Sequence, residues 1–310
     1  MITFLYVLML IIVSVYAVLA SIEAGIALTM VLPKLTNNSA VGSRIYTPIW
    51  EITNVFLVIA STIMSVIFNN VLPHLAHIAF VPLFFAGASL LTRAISGLYI
   101  FYSQNKVGIL PKLLLIISSY LAPLSIAVIG IDFFTGKSVW SSRPGLVLIS
   151  SAMLGISVIG LAFANRHKAA ITQQMRYTLY ALFALWAIDL GFMLPHTLMK
   201  FDNTLLRTPL TILIAVIAIS TISFFLYSAV KNKLYELYQY AILIGLITPI
   251  LLGIDLRPYL INRVITIDHA YGAAAYQSSI LVGAIISLPI LGVGFYLLFK
   301  LLVEETQSKV

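Results

Sequence analysis

Four ionisable side chains lie inside long apolar runs: Glu23, Glu51, Arg93 and Asp189. A charge at mid-bilayer costs about 2.5–3.5 kcal/mol on insertion scales, so such groups face the interior of a helix bundle, pair with one another and mark a pathway. A carboxylate can take up a proton and pass it on, and a guanidinium is the natural partner for a carboxylate held out of water. The chemistry these residues suggest is proton handling through Glu23 and Glu51, with Arg93 paired to Glu23. A plainer reading stands beside it, in which a buried ion pair fixes helix register and Glu51 is a first-turn carboxylate favoured by the helix dipole. Asp189, in "LWAIDLGFMLPH", is a further polar site that bonds Trp186 or a neighbouring backbone group.

The elements that must hold these groups are membrane helices. Of the 310 residues, 61% are hydrophobic and 9% charged, whereas a soluble domain carries about 25% charged residues. The mean hydropathy is +1.06. Apolar runs of about 20 residues, the length that crosses the hydrocarbon as a helix, recur along the whole chain. Nine spans fit: 3–33, 48–72, 76–102, 111–133, 145–165, 174–198, 208–230, 237–255 and 273–300. The expectation is an all-α polytopic bundle forming one transmembrane domain over residues 1–310. The first run lacks the positive flank of a signal peptide and is too long for one, so it reads as a retained span. Pro82, Pro123, Pro249 and Pro289 fall inside spans, where neighbouring helices can satisfy the freed carbonyls. With the N-terminus outside, eleven Lys and Arg fall in inner segments and six in outer ones. That excess favours N-out and C-in.

In this frame Glu23 sits about 15 Å and Arg93 about 13 Å above the inner ends of spans one and three, and Glu51 about 5 Å above that of span two, at 1.5 Å per residue. Two carboxylates and a guanidinium from consecutive helices therefore share the inner leaflet, with Glu51 nearest the cytoplasm.

Other chemistries are excluded or weakened. Without cysteine there are no disulfides, thiolate metal sites or cysteine nucleophiles. The five histidines, His74, His77, His167, His196 and His269, lie at span ends or in loops. They cannot ligate two haems across the bilayer; one outer haem between His74 or His77 and His196 is the arrangement left open. Nucleotide-binding, hydrolase, zinc-protease and EF-hand signatures are absent. The sequon at Asn37 falls in an inner loop. The net charge of +8 reads as loop Lys and Arg setting topology, with no nucleic-acid partner.

The order of short motifs resembles a known family. "SIEAGIAL" ends span one, "TPIWEITNVFLV" opens span two, and "ASLLTRAISGLY" lies in span three; "SSYLAPLSIAVIGIDFF" and "RPYLINRVITIDHAYGAAAYQSS" follow. This is similar to subunit II of cytochrome bd-type quinol oxidases, with Trp50, Asn54 and Asp268 at motif positions. The chain departs from the family pattern where Ile52-Thr53 replace the usual Gly-Asn, where Phe56 replaces a second Trp, and where span three lacks a further carboxylate. The resemblance implies a haem-free subunit of a quinol:O2 oxidoreductase in the cell membrane of a prokaryote, with no complete active site in this chain. It implies a heterodimer with a haem-bearing subunit I holding b-type haems and haem d, and a cytoplasmic proton path through Glu23 and Glu51. Quinol would be the substrate of the complex. A structural quinone, membrane lipid and a small accessory membrane subunit are further candidate partners, and no metal site is expected. Two other readings remain open, a quinone-interacting membrane anchor of another respiratory complex and a proton-coupled secondary transporter.

Overall fold

In hydrocarbon a backbone must satisfy its own hydrogen bonds, and the apolar runs do so as helices. The computed structural model describes residues 2–31, 39–103, 108–136, 138, 143–166, 173–198 and 234–272, with scattered residues between 219 and 227 and between 279 and 293. The helices are α1 (Ile2–Val31), α2 (Ser39–Thr62), α3 (Leu72–Ile78), α4 (Phe80–Tyr102), α5 (Ile109–Thr135), α6 (Arg143–Arg166), α7 (Gln173–Leu198) and α8 (Leu234–Asp255). A two-stranded antiparallel hairpin, β1 (Tyr259–Ile261) and β2 (Ile265–Thr266), leads into a single helical turn, α9 (Ile267–Ala270). Among the described residues four stretches are long and apolar enough to cross a membrane: Ile2–Leu28, Ile49–Ile67, Phe80–Ile100 and Ile109–Phe134. Shorter apolar segments lie in α6, α7 and α8. The chain is an all-α polytopic membrane bundle. The spans expected at 208–230 and 273–300 fall almost wholly outside the described residues.

Two boundaries differ from the sequence reading. Span two was expected at 48–72, but α2 begins nine residues earlier, at Ser39, and ends at Thr62. It runs on through a π-helical turn, Ile63–Ile67, and a 3-10 turn, Asn69–Val71. Pro73 sits in the first turn of α3, where its missing N–H costs nothing.

The packing is that of a bundle in lipid, with apolar side chains outside and polar ones within. Phe80, Phe84, Leu91, Ile95 and Ile109 are each more than 60% exposed, whereas Glu23, Arg93, Ser119 and Asp132 are buried. Helix α1 is the centre and packs against α2, α5, α6 and α8, while α4 lies along α5. At the α1–α6 crossing the two backbones touch. Any Cβ at Gly25 would strike the Gly160 backbone, and one at Gly160 would meet the Ser21 carbonyl. Ser21 and Gly25 are spaced as a small-xxx-small pair, the pattern that lets membrane helices touch backbone to backbone.

One end of the bundle is closed by the hairpin. The Asn262 N–H bonds the Phe133 carbonyl at 2.9 Å, and its side-chain amide bonds the Phe134 carbonyl at 3.0 Å. Asn70 donates to the His269 carbonyl at 3.1 Å. Tyr6 donates to the Gly253 carbonyl at 2.6 Å. The start of α1 and the ends of α2, α5 and α8 therefore meet here. Gly136 ends α5 at φ 67° with the Asn262 carbonyl where a Cβ would be, a place only glycine fits without strain.

Gly25→Leu or Gly160→Leu is expected to prise α1 from α6 and abolish the monodisperse folded protein in detergent. Gly130→Ala, with open space around its Cβ, is expected to leave the size-exclusion profile and unfolding midpoint unchanged.

Candidate functional site

About 26 Å along α1 from Tyr6, at 1.5 Å per residue, the hydrophobic interior is interrupted by a knot of polar side chains. Glu23 of α1 and Arg93 of α4 form an ion pair with Nη1 2.9 Å from Oε2, and neither side chain is exposed. The second carboxylate oxygen, Oε1, accepts from the Tyr46 hydroxyl of α2 at 3.0 Å. Arg93 Nη2 donates to Asn54 Oδ1, also on α2, at 2.9 Å. Because the Tyr46 proton points to Glu23, Ser119 of α5 must be the donor in its weaker 3.5 Å contact with the Tyr46 hydroxyl. Four helices thus meet in one hydrogen-bonded network.

Local sequence explains how each helix delivers its group. On α2 the buried residues Tyr46, Ile49, Thr53 and Ala60 recur at three- and four-residue steps and at their sum of seven, the repeat of one helical face. Thr53 bonds its own helix at the Ile49 carbonyl, 2.7 Å away. Asn54 stands at the flank of that face and is half-buried. On the opposite side runs an exposed stripe containing Glu51, Val55, Val58, Thr62 and Ser65. Removing an ion from water costs several kcal/mol, offset only when geometry is good and further hydrogen bonds fill the remaining sites. In the knot both oxygens of Glu23 and both terminal nitrogens of Arg93 are engaged.

The structure therefore brings Glu23, Arg93 and Asn54 together and keeps Glu51 apart. Glu51 is exposed and makes no hydrogen bond or ion pair among the described residues. It is also not a first-turn carboxylate. With α2 starting at Ser39 it is the thirteenth residue, about 18 Å along the helix at 1.5 Å per residue, so the helix-dipole explanation fails. Trp50 is half-buried against the central core. Asp189 accepts from Ser150 of α6 at 3.1 Å. Trp186, one of its expected partners, instead packs edge-on to Phe183 with ring centres 5.9 Å apart. Asp268 is exposed in α9, at the hairpin end and remote from the knot.

His74 and His77 are exposed on α3, and His269 Nδ1 lies 2.7 Å from Thr266 Oγ1. The side chains of His167 and His196 lie outside the described residues. Among the described residues no three His, Cys, Asp or Glu gather as metal ligands.

Sequence reasoning missed Tyr46 and Ser119. Both are uncharged, so neither disturbs the hydropathy profile. The available signal was the helical spacing of Tyr46 with Ile49 and Thr53, ahead of the expected span start.

Fold and site define a class: a multi-pass membrane protein whose charged groups are gathered inside the bundle at a joint of four helices. The family model for cytochrome bd terminal oxidase subunit II matches residues 1–302, and the chain belongs to that family. It is thus a membrane subunit of an oxidoreductase complex. Among solved structures, a chain of the bd oxidase from Geobacillus thermodenitrificans matches at a TM-score of 0.59 and 11% identity, over 97% of this chain and 98% of that one. At that identity the likeness shows the shared fold. None of the curated proteins compared with the chain matches it.

Asn54 is the α2 residue that holds Arg93.

Removing one partner of a buried ion pair costs about 3–5 kcal/mol, whereas replacing both by apolar or neutral groups is often neutral. Arg93→Met is therefore expected to lower unfolding stability by an amount on that order. The double variant Glu23→Gln with Arg93→Met is expected to recover most of it in detergent unfolding.

Proposed function

We propose that this chain is the haem-free subunit of a cytochrome bd-type quinol:O2 oxidase in the cytoplasmic membrane of a prokaryote. It lies N-out and C-in beside a haem-bearing subunit I, and it carries part of the route by which cytoplasmic protons reach the site of O2 reduction. The observation that carries this reading is Glu51. It stands on the exposed stripe of α2 within the apolar stretch Ile49–Ile67. A carboxylate turned to lipid is costly, so this stripe is the natural seat of another protein subunit, which would enclose Glu51 at the seam.

From there a file of polar groups leads inward. Asn54 is three residues on from Glu51, a neighbouring position on the helix surface. It touches Arg93, which touches Glu23. Glu51 and Glu23 are the two groups in this file able to carry a proton, while Asn54 and Arg93 set their geometry. The b-type haems, haem d and the quinol site belong to the partner subunit in this reading.

Glu51→Gln and Glu23→Gln keep side-chain size and remove the proton site. In the purified complex each is expected to slow quinol-driven O2 consumption by about tenfold or more, with the reduced-minus-oxidised haem spectrum unchanged. Full activity in both variants across pH would contradict the proton route. A haem-free chain that purifies alone and moves solute in liposomes would point to a transporter instead.

A further inference from the structure

Two buried polar atoms at the knot have no hydrogen-bond partner among the described residues, Nε of Arg93 and the hydroxyl of Tyr16. Both residues are 1% exposed, so bulk solvent does not serve them. Tyr16 lies seven residues before Glu23 on α1, two turns away on the same face. Tyr16 is within electrostatic reach of both Arg93 and Glu23. Tyr16 and Glu23 thus lie on the α1 face that Arg93 reaches from α4.

Leaving a buried donor or acceptor unsatisfied costs about 1–3 kcal/mol, and folded proteins rarely leave two together. The chemistry of these atoms specifies what would satisfy them. Nε–H can only donate, the tyrosine hydroxyl can donate and accept, and a carboxylate has about four acceptor sites, two of which Glu23 uses for Arg93 and Tyr46. A water molecule fits this set: it accepts from Nε–H, exchanges a hydrogen bond with the Tyr16 hydroxyl and donates to Glu23. Three partners is the usual number for a buried water. Helix α4 packs along α5 rather than close on α1, so the long Arg93 side chain bridges a seam where the backbones do not seal the space.

We propose that Arg93, Tyr16 and Glu23 enclose a buried water site in the membrane interior, and that Tyr16 is the residue that positions this water. The proposal rests on the proton-route reading for its consequence: the water gives Glu23 an onward partner without breaking the ion pair.

The test is a high-resolution map of the intact complex together with infrared difference spectra recorded in ordinary and 18O-labelled water. The expected result is density within about 3.2 Å of both Arg93 Nε and the Tyr16 oxygen, and an isotope-sensitive O–H band. Both should disappear in Tyr16→Phe, a variant that keeps the ring and its packing. In that variant turnover is expected to fall severalfold at unchanged haem content. A wild-type map that resolves other internal waters but shows none here overturns the proposal. So does one in which a lipid or a partner-subunit group bonds Nε or the Tyr16 hydroxyl. Full turnover in both Glu51→Gln and Glu23→Gln would instead refute the proton route while the density still decides the water site, so the two failures are distinguishable.

Discussion

A charge buried in hydrocarbon is tolerable only when its partner is already in place, and in this bundle that condition binds four helices at once. Glu23 cannot be desolvated without Arg93, and Arg93 is held in position by Asn54, while Tyr46 fills the second carboxylate oxygen. Each of these residues comes from a helix whose rotation is fixed by its own apolar face. The polar network and the apolar packing are consequently not independent: turning α2 by one residue would move Tyr46 and Asn54 away from the pair and bring Glu51 toward it. A buried ion pair contributes little net stability compared with apolar residues of the same size. Its effect is to make other registers costly, because any slip leaves a charge unpaired.

The rest of the fold keeps that joint in place. Gly25 is two residues past Glu23, so the backbone contact with Gly160 fixes the height and rotation of α1 where the carboxylate projects. At the far end, Asn262 of the hairpin holds the end of α5, Asn70 after α2 bonds the turn that follows the hairpin, and Tyr6 ties the start of α1 to the end of α8. The central helix is thus held at both ends, with the ion pair nearer the end away from the hairpin.

What the sequence revealed and what it hid follow from the physics of each signal. Charges within apolar runs are conspicuous, so Glu23, Glu51, Arg93 and Asp189 stood out. Which of them meet was only half legible, because depth follows from counting residues but facing does not. Glu51 and Glu23 share an inner-leaflet position by count, yet lie on different sides of α2. Helix ends were misjudged where hydropathy and hydrogen bonding diverge. The segment before Ile45 contains Gly42, Ser43 and Arg44 and reads as loop, but the helix continues through it. The π turn at Ile63–Ile67 lies within an unbroken apolar run and leaves no trace in composition. Tyr46 and Ser119 were invisible as site residues for the same reason that they suit the site, since they supply hydrogen bonds without charge.

In the proposed function, Glu51 is where this architecture meets the rest of a cytochrome bd terminal oxidase. Within the chain it is an exposed carboxylate on a membrane helix, a position that makes physical sense when a second subunit covers it. The most direct test is to purify the complex from its native membrane and determine its composition, haem spectrum and structure together. The account predicts a haem-bearing partner in about equal amount, O2 consumption with quinol, and Glu51 enclosed at the subunit seam. A chain isolated without a haem protein, or a complex in which the Glu51 stripe faces lipid, would contradict it.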